Sequence, residues 1–261
     1  MRRALLYNPR LLCERLAAES VKHRRLAKLK GTVARNLSPG HIDSLELLEL
    51  AKSLGIATVY DIGAHVGTWT LLAKAIIPPA SVYAFEPLSK HYDAFVASTK
   101  DIPDIHLYRV ALGATKGPAL FRVTDLSDAS SILPLAGSAS RHFGIHEVER
   151  VPVEMVTLDD HCKEHSLPLP DLMKLDVQGY ELEVLRGGQT CLKSAKAIIM
   201  EVSFVRFYEN QCLFDDVLHF MSDIGFCLHA LGINTTLGKP LSQTDVLFLP
   251  NSIANSRGPA Q

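Results

Sequence analysis

Four carboxylates stand at the ends of four short apolar runs: Asp61 after "TVY", Glu86 after "VYAF", Asp176 after "LMKL" and Glu201 after "AIIM". Each run is bounded by turn residues, the pattern of a buried strand. In an open α/β sheet, ligands gather outside the carboxyl ends of the strands, near the point where the strand order reverses. Two crossovers leaving the first strand in opposite directions would place these strands in the spatial order 2-1-4-5. The acids would then form a row, Glu86–Asp61–Asp176–Glu201, along one sheet edge.

Such a row selects its ligand by charge. It repels the pyrophosphate of a dinucleotide. It suits a sulfonium, an ammonium group and a ribose diol, the groups that S-adenosylmethionine carries. The first turn, "DIGAHVG" from Asp61 to Gly67, is D-x-G-x-x-x-G and not the G-x-G-x-x-G of nicotinamide enzymes. Gly63 and Gly67 would let the backbone approach the cofactor, and the helix start near Gly67 offers free N–H groups to its carboxylate. Glu86 would accept hydrogen bonds from the ribose hydroxyls, as an acid at the second strand's end does in nucleotide sites. The plain alternative for both glycines is an ordinary tight turn. Lys174, two residues before Asp176, shares its strand face and needs a counter-charge from Asp61, Asp176 or Glu201.

The elements that must position these residues alternate along the chain. Strands are expected at 58–62, 81–86, 105–110, 171–176, 196–202, 226–230 and 244–249, and helices near 67–76, 88–99, 179–193 and 213–224. Before them, "DSLELLELAKSLG" reads as a helix with Asp43 and Glu46 as a capping box and Gly55 as its stop. This alternation implies an α/β fold with a mostly parallel sheet covered on both faces. One region departs from it. "ALFRVT" and "VERVPVEMVTL" read as extended segments joined by "DLSDASSILPLAGSASRHFGIH", a substrate-facing insertion at about 113–157. The boundaries are therefore a helical extension over 1–40, a main domain over 41–250 and a mobile tail over 251–261.

Charge is uneven. Residues 1–35 carry ten Lys/Arg against Glu14 and Glu19, while the chain as a whole is almost neutral at −1. Leu5, Leu11, Leu12, Leu16, Leu26, Leu29 and Val33 share one side of a helical wheel, with most of the basic residues opposite. A helix packed on its own domain or on a second subunit, giving a homodimer, is the preferred reading. A peripheral contact with an anionic membrane is the functional alternative. Nucleic acid is disfavoured, because the body is acidic and aromatics do not interleave with the basic residues. The five cysteines form no C-x-x-C and are odd in number, which favours reduced thiols and a cytoplasmic protein. No apolar run approaches the roughly 20 residues of a membrane span.

A more specific signal is the order of "VYDIGAHVGTWT", "AFEP", "YRVALGATKG", Ser130–Ser131, "VTLDD", "MKLDVQGYELEVLRGG" and "MEVSF". Over roughly 58–205 the chain resembles the FkbM family of S-adenosylmethionine-dependent methyltransferases. The resemblance implies a Rossmann-like methyltransferase fold of seven strands, the last antiparallel. It implies methyl transfer to a hydroxyl of a sugar, polyketide or other small-molecule metabolite. It places cofactor binding on Asp61, Gly63, Ala64, Gly67 and Glu86. His65 stands where the family commonly has Asn, either touching the methionine moiety or capping the turn.

Methyl transfer to an alcohol needs alignment behind the methyl group and a base for the departing proton. Asp176 is the first candidate base, with His65, His142 and His146 as alternatives. Ser130, Ser131 and His142 are candidates for the acceptor pocket. A metal route would have Asp176 and Glu201 share Mg²⁺ or Ca²⁺, but the expectation is that no H-x-x-x-H, C-x-x-C or D-x-D-x-D spacing supports a dedicated cage. Two other functions compete: a nicotinamide-dependent oxidoreductase, and a non-catalytic module that keeps the fold as a docking platform.

Overall fold

The computed structural model describes residues 17, 20–37, 41–137, 144–232 and 241–256. Its main sheet has seven strands: β1 (Thr58–Ile62), β2 (Ser81–Phe85), β3 (Ile105–Tyr108), β7 (Leu172–Leu175), β8 (Ala197–Ser203), β9 (Phe226–Leu231) and β10 (Gln243–Pro250). They lie in the order β3-β2-β1-β7-β8-β10-β9. Pairing is parallel from β3 through β8, and β10 runs antiparallel to both β8 and β9. The expected order of the acid-bearing strands is the observed one, β2-β1-β7-β8.

The central strands are apolar on both faces because helices cover both. On one face Tyr60, Phe85, Met173, Met200 and Phe248 pack with α4 (Leu158–Glu164), α5 (Glu181–Arg186), α6 (Gln189–Ser194) and α7 (Phe214–Asp223). On the other, Val59, Val82, Leu172, Ile199 and Leu247 pack under α1 (Ile42–Ala51) and α2 (Thr68–Ile76). Neighbours in sequence divide between the two cores, as a two-residue period requires.

Several local expectations change. The helix foreseen over 179–193 is two helices, α5 and α6, because the Asp159 carboxylate accepts from the N–H groups of Thr190 and Cys191 and starts a new helix there. The Asp43–Glu46 capping box does not form; α1 has no side-chain cap, and Glu46 pairs instead with Arg25 of the arm. Residues 20–27 of the arm are helical, and Leu26 and Leu29 join the core under α1. Residues 1–16 of the arm lie outside the described residues. The tail reading is corrected in part: Asn251–Ser256 forms a helix, α8, with Ile253 and Ala254 packed on the same core. The insertion is a second sheet of order β4-β6-β5, made of β4 (Ala111–Leu112), β5 (Gly117–Thr124) and β6 (Glu147–Val156). It therefore begins slightly before residue 113. Helix α3 (Ser89–Thr99) follows β2.

Candidate active site

Strand register builds the acidic edge. Asp61 lies opposite Lys174 in the β1–β7 ladder, Lys174 lies opposite Ile199, and Glu201 lies opposite Asp245 in the β8–β10 ladder. Directly paired residues, and residues two apart, share a sheet face. Asp61, Lys174, Asp176, Glu201 and Asp245 therefore all fall on the α1/α2 face at the carboxyl ends of the parallel strands. The row anticipated from four strands gains a fifth acid from β10.

Lys174 is the cation at its centre. Its Nζ is 3.4 Å from Asp61 Oδ1, 3.4 Å from Asp176 Oδ2 and 3.2 Å from the Gly63 carbonyl. Burial alone would pull the ammonium down, but Asp176 and Asp61 overcome this and hold it above the usual lysine range. Asp61 is wholly buried, and the Thr70 hydroxyl donates to its Oδ2 at 2.5 Å. Burial pushes its carboxyl up, while Lys174 and Thr70 pull it down. Glu201 is pushed well up by burial, then by Asp176, Asp245 and Glu181. Asp245 is raised by burial against the Ser44 hydroxyl that donates to it at 2.6 Å.

The glycine turn closes the other end. Gly63 has φ +80°, and a Cβ placed there would lie 2.0 Å from the Asp176 carbonyl oxygen. Glycine is thus required by the approach of the 176–180 loop, in addition to any approach of a ligand. Gly67, at φ +87°, would press its Cβ on Phe95. Glu86 is buried with divided duties: Oε1 accepts from the Leu88 N–H and faces His91 Nδ1 at 3.2 Å, while Oε2 accepts from the His65 N–H at 3.0 Å. His65 adopts φ +49° and meets the His91 ring edge-on, centroids 4.0 Å apart. Burial and then His91 lower its pKa, and its Nε2 is buried with no hydrogen-bond partner.

Most of these groups line one cavity of about 530 Å³, within the range of small-molecule sites. Val110, Ala111 and Leu112 continue it beyond Glu86, and the insertion contributes Phe121, Ser130, Ile132 and Ile145. The 176–180 loop is tied across it. Gln178 Nε2 donates to Asp176 Oδ1 at 2.7 Å and to Glu201 Oε2 at 2.9 Å, and Gln178 Oε1 is 3.0 Å from the Tyr208 hydroxyl. That amide occupies the position between Asp176 and Glu201 that a shared cation would need. Among the described residues, no cluster of three or more His, Cys, Asp or Glu is arranged to hold a metal. Against the expectation of no H-x-x-x-H spacing, His161 and His165 have it, but their rings stack on each other at 4.1 Å and meet Tyr108 edge-on.

Of the residues singled out in the sequence, Gly63, Ala64, His65, Glu86, Ser130, Lys174, Asp176 and Glu201 line this cavity. Asp61 stands behind it, one layer deeper, and reaches it through Lys174. Gly67 is not in the wall. Neither is Ser131, whose buried hydroxyl donates to the Gln178 carbonyl at 2.8 Å and ties the insertion to the loop. His146 also lies outside the wall, with its N–H on Asp125. His142 falls outside the described residues. The wall further holds Gln178, Tyr208, Trp69, Asp128 and Asp245, which the sequence reading did not name. Asp245 was legible in principle: "TDVLFL" was read as a strand, and an antiparallel register against "MEVSF" brings its acid opposite Glu201.

Comparison with known proteins agrees with this geometry. The model of the methyltransferase FkbM domain matches residues 61–228. The chain is 26% identical over 160 residues to the hexuronic acid methyltransferase AglP of Haloferax volcanii, spanning 60% of this chain and 59% of that protein. It is 28% identical over 160 residues to the 2-O-methyltransferase NoeI of Sinorhizobium fredii, spanning 59% of this chain and 66% of that protein. It is 29% identical over 153 residues to the methyltransferase sdnD of Sordaria araneosa, spanning 49% and 59%. The matched segments thus cover less than two thirds of each relative's length. With its glycine turn, acidic strand ends and seven-stranded sheet, the chain belongs to the FkbM methyltransferase family.

Proposed function

We propose that this protein is an S-adenosylmethionine-dependent O-methyltransferase that acts on a hydroxyl of a sugar or another small-molecule metabolite. The observation that carries the reading is the single cavity joining the glycine turn and Glu86 to the Asp176–Glu201 end. Its wall holds five carboxyl groups, Glu86, Asp128, Asp176, Glu201 and Asp245, and one lysine already paired to acids. That balance suits a cationic cofactor and opposes a pyrophosphate. Two wall residues, His65 and Trp69, also present buried ring nitrogens with no partner in the protein, Nε2 and Nε1. The residues present fit S-adenosylmethionine.

When bound, that cofactor supplies a methyl group activated by its sulfonium. Glu86 has lone pairs left to accept from the ribose hydroxyls. The backbone of Gly63–His65, with the start of α2, faces the amino-acid end. Asp176 is the general base: its side chain is about one-third exposed, opens on the cavity, and is kept in place by Lys174 and Gln178. It removes the hydroxyl proton as the new bond forms, a contribution of roughly 10²–10⁴ in rate. The hydroxyl acceptor enters past Ser130 and the insertion. A sugar is favoured because one relative is named a hexuronic acid methyltransferase, and the name of a second, a 2-O-methyltransferase, agrees with transfer to oxygen. The unpaired thiols of Cys162, Cys191, Cys212 and Cys227 support a reducing, cytoplasmic setting.

Calorimetry tests the reading. S-adenosylhomocysteine is expected to bind, and Glu86→Ala to weaken it at least tenfold. Binding of NAD(H) in its place would refute the assignment. A screen of hydroxyl acceptors with methyl-labelled cofactor then identifies the substrate.

A further inference from the structure

Gln178 stands at the acidic edge with no part of its own in the methyl-transfer step. Its φ is +55°, a backbone region that residues with side chains rarely adopt. The Ser131 hydroxyl secures that conformation by donating to the Gln178 carbonyl. The side chain spans two carboxyl groups, one N–H on Asp176 Oδ1 and the other on Glu201 Oε2. Glu201 Oε2 takes a second amide donor, Gln243 Nε2, at 3.0 Å. The orientation of the amide is fixed by chemistry. Tyr208 is buried, and burial, Glu201, Asp176 and Glu181 all push its phenol up, so it keeps its proton, which is shared between the Ala129 carbonyl at 2.8 Å and Gln178 Oε1 at 3.0 Å. A flipped amide would set its oxygen against both carboxyls.

We propose that Gln178 is a positioning residue for proton removal: its carboxamide, oriented by the two carboxyls it spans and by the Tyr208 hydroxyl, holds the Asp176 and Glu201 carboxyls apart and open to the cavity. This rests on the methyltransferase reading above. Without the amide the two carboxyls relax toward each other and share a proton, as close carboxyl pairs do, and Asp176 ceases to be a free carboxylate. Other groups face the pair from every neighbouring element: Lys174 on β7, Asp61 on β1, Asp245 on β10, Glu181 on α5, His65 in the glycine turn and the Tyr208 phenol.

The test compares two ligands on the full chain: S-adenosylhomocysteine, which is neutral at sulfur, and sinefungin, which carries an amine in place of the methyl-bearing sulfonium. Both are titrated by calorimetry into wild type, Gln178→Leu and Tyr208→Phe across pH. S-adenosylhomocysteine affinity is expected to stay within about threefold in both variants. The preference for sinefungin at pH 7 is expected to fall about tenfold in Gln178→Leu and about threefold in Tyr208→Phe, and to recover by about pH 9 as the shared proton leaves. A merely structural role would weaken both ligands together at every pH, and that result overturns the proposal. So does a preference that neither substitution moves. If wild type binds neither ligand, the methyltransferase reading fails and takes this inference with it. If wild type binds both but the preference is unmoved, this inference fails alone.

Discussion

Replacing Lys174 with Met removes the only ammonium that the described residues bring to the acidic edge, while keeping its length and apolar stem. Its Nζ lies 3.4 Å from Asp61 Oδ1, and Asp61 is wholly buried. Coulomb's law at an effective dielectric of about 20 gives roughly 5 kcal/mol for such a pair. Asp61 can escape by taking up a proton, which at pH 7 costs about 4 kcal/mol for a carboxyl of ordinary value near 3.8. The deficit is therefore capped at about 4 kcal/mol, close to what breaking a buried pair costs in general. For a chain this long it corresponds to a fall in Tm of about 8 °C. Asp176 lies at the same distance and also holds the ammonium, but it is about one-third exposed, so water takes over most of its part once the lysine is gone. The sign with pH follows from Asp61. A carboxyl raised in the folded state loses stability as pH rises through its folded value, so the variant's deficit should shrink to about 2 kcal/mol at pH 5. Urea unfolding of wild type, Lys174→Met and Asp61→Asn/Lys174→Met at pH 7 and pH 5 checks this. The double variant should recover most of the loss. A deficit below about 1 kcal/mol at pH 7, or one equal at both pH values, would refute the reasoning.

Gly63→Ala should cost at least about 2 kcal/mol and weaken S-adenosylhomocysteine binding, because its Cβ would meet the Asp176 carbonyl at φ +80°; calorimetry and thermal melts read both effects. Glu181, buried under Val177 and Gly179 N–H donors, is pushed up to about 7, chiefly by burial. Its contribution to stability is full below about pH 4.5 and is lost as pH rises through 7, by about 3 kcal/mol in all. Glu181→Gln should therefore match wild type near pH 4 and exceed it at pH 8 in urea unfolding. Ser131→Ala removes the hydroxyl from the Gln178 carbonyl and from the Leu133 N–H, at about 1–3 kcal/mol. Faster amide exchange at 131–133 and 178–179, with the main sheet unchanged, is the expected signature.

What could be read ahead of the structure followed from periodicity. Runs such as "LMKL" and "AIIM" are short, apolar and closed by an acid, so strand ends and the order β2-β1-β7-β8 could be derived before any coordinates. What was missed depends on contacts between distant segments. Asp159 starts a new helix by accepting from the Thr190 N–H, and Arg25 takes Glu46 away from a capping role. No local pattern marks either. Gln178 was passed over for the same reason: its partners Glu201 and Tyr208 lie 23 and 30 residues further along the chain. Gly63 was noted but for an incomplete reason, since the atom nearest its missing side chain belongs to Asp176.

The position of β10 has a consequence for biosynthesis. It pairs with β8 on one side and β9 on the other, although it follows both in the chain. Until residues 243–250 have been translated, the flank of β8 away from β7 has no partner, and Glu201 lacks both Asp245 opposite it and the Gln243 amide. Residues 58–203 can assemble most of the parallel sheet as they emerge, yet the acidic edge closes only after a further stretch of about forty residues. The nascent chain therefore carries an open, apolar strand edge in Ile198–Val202, the kind of edge that invites wrong pairing and chaperone capture. Ligand competence arrives with the last strand to join the sheet.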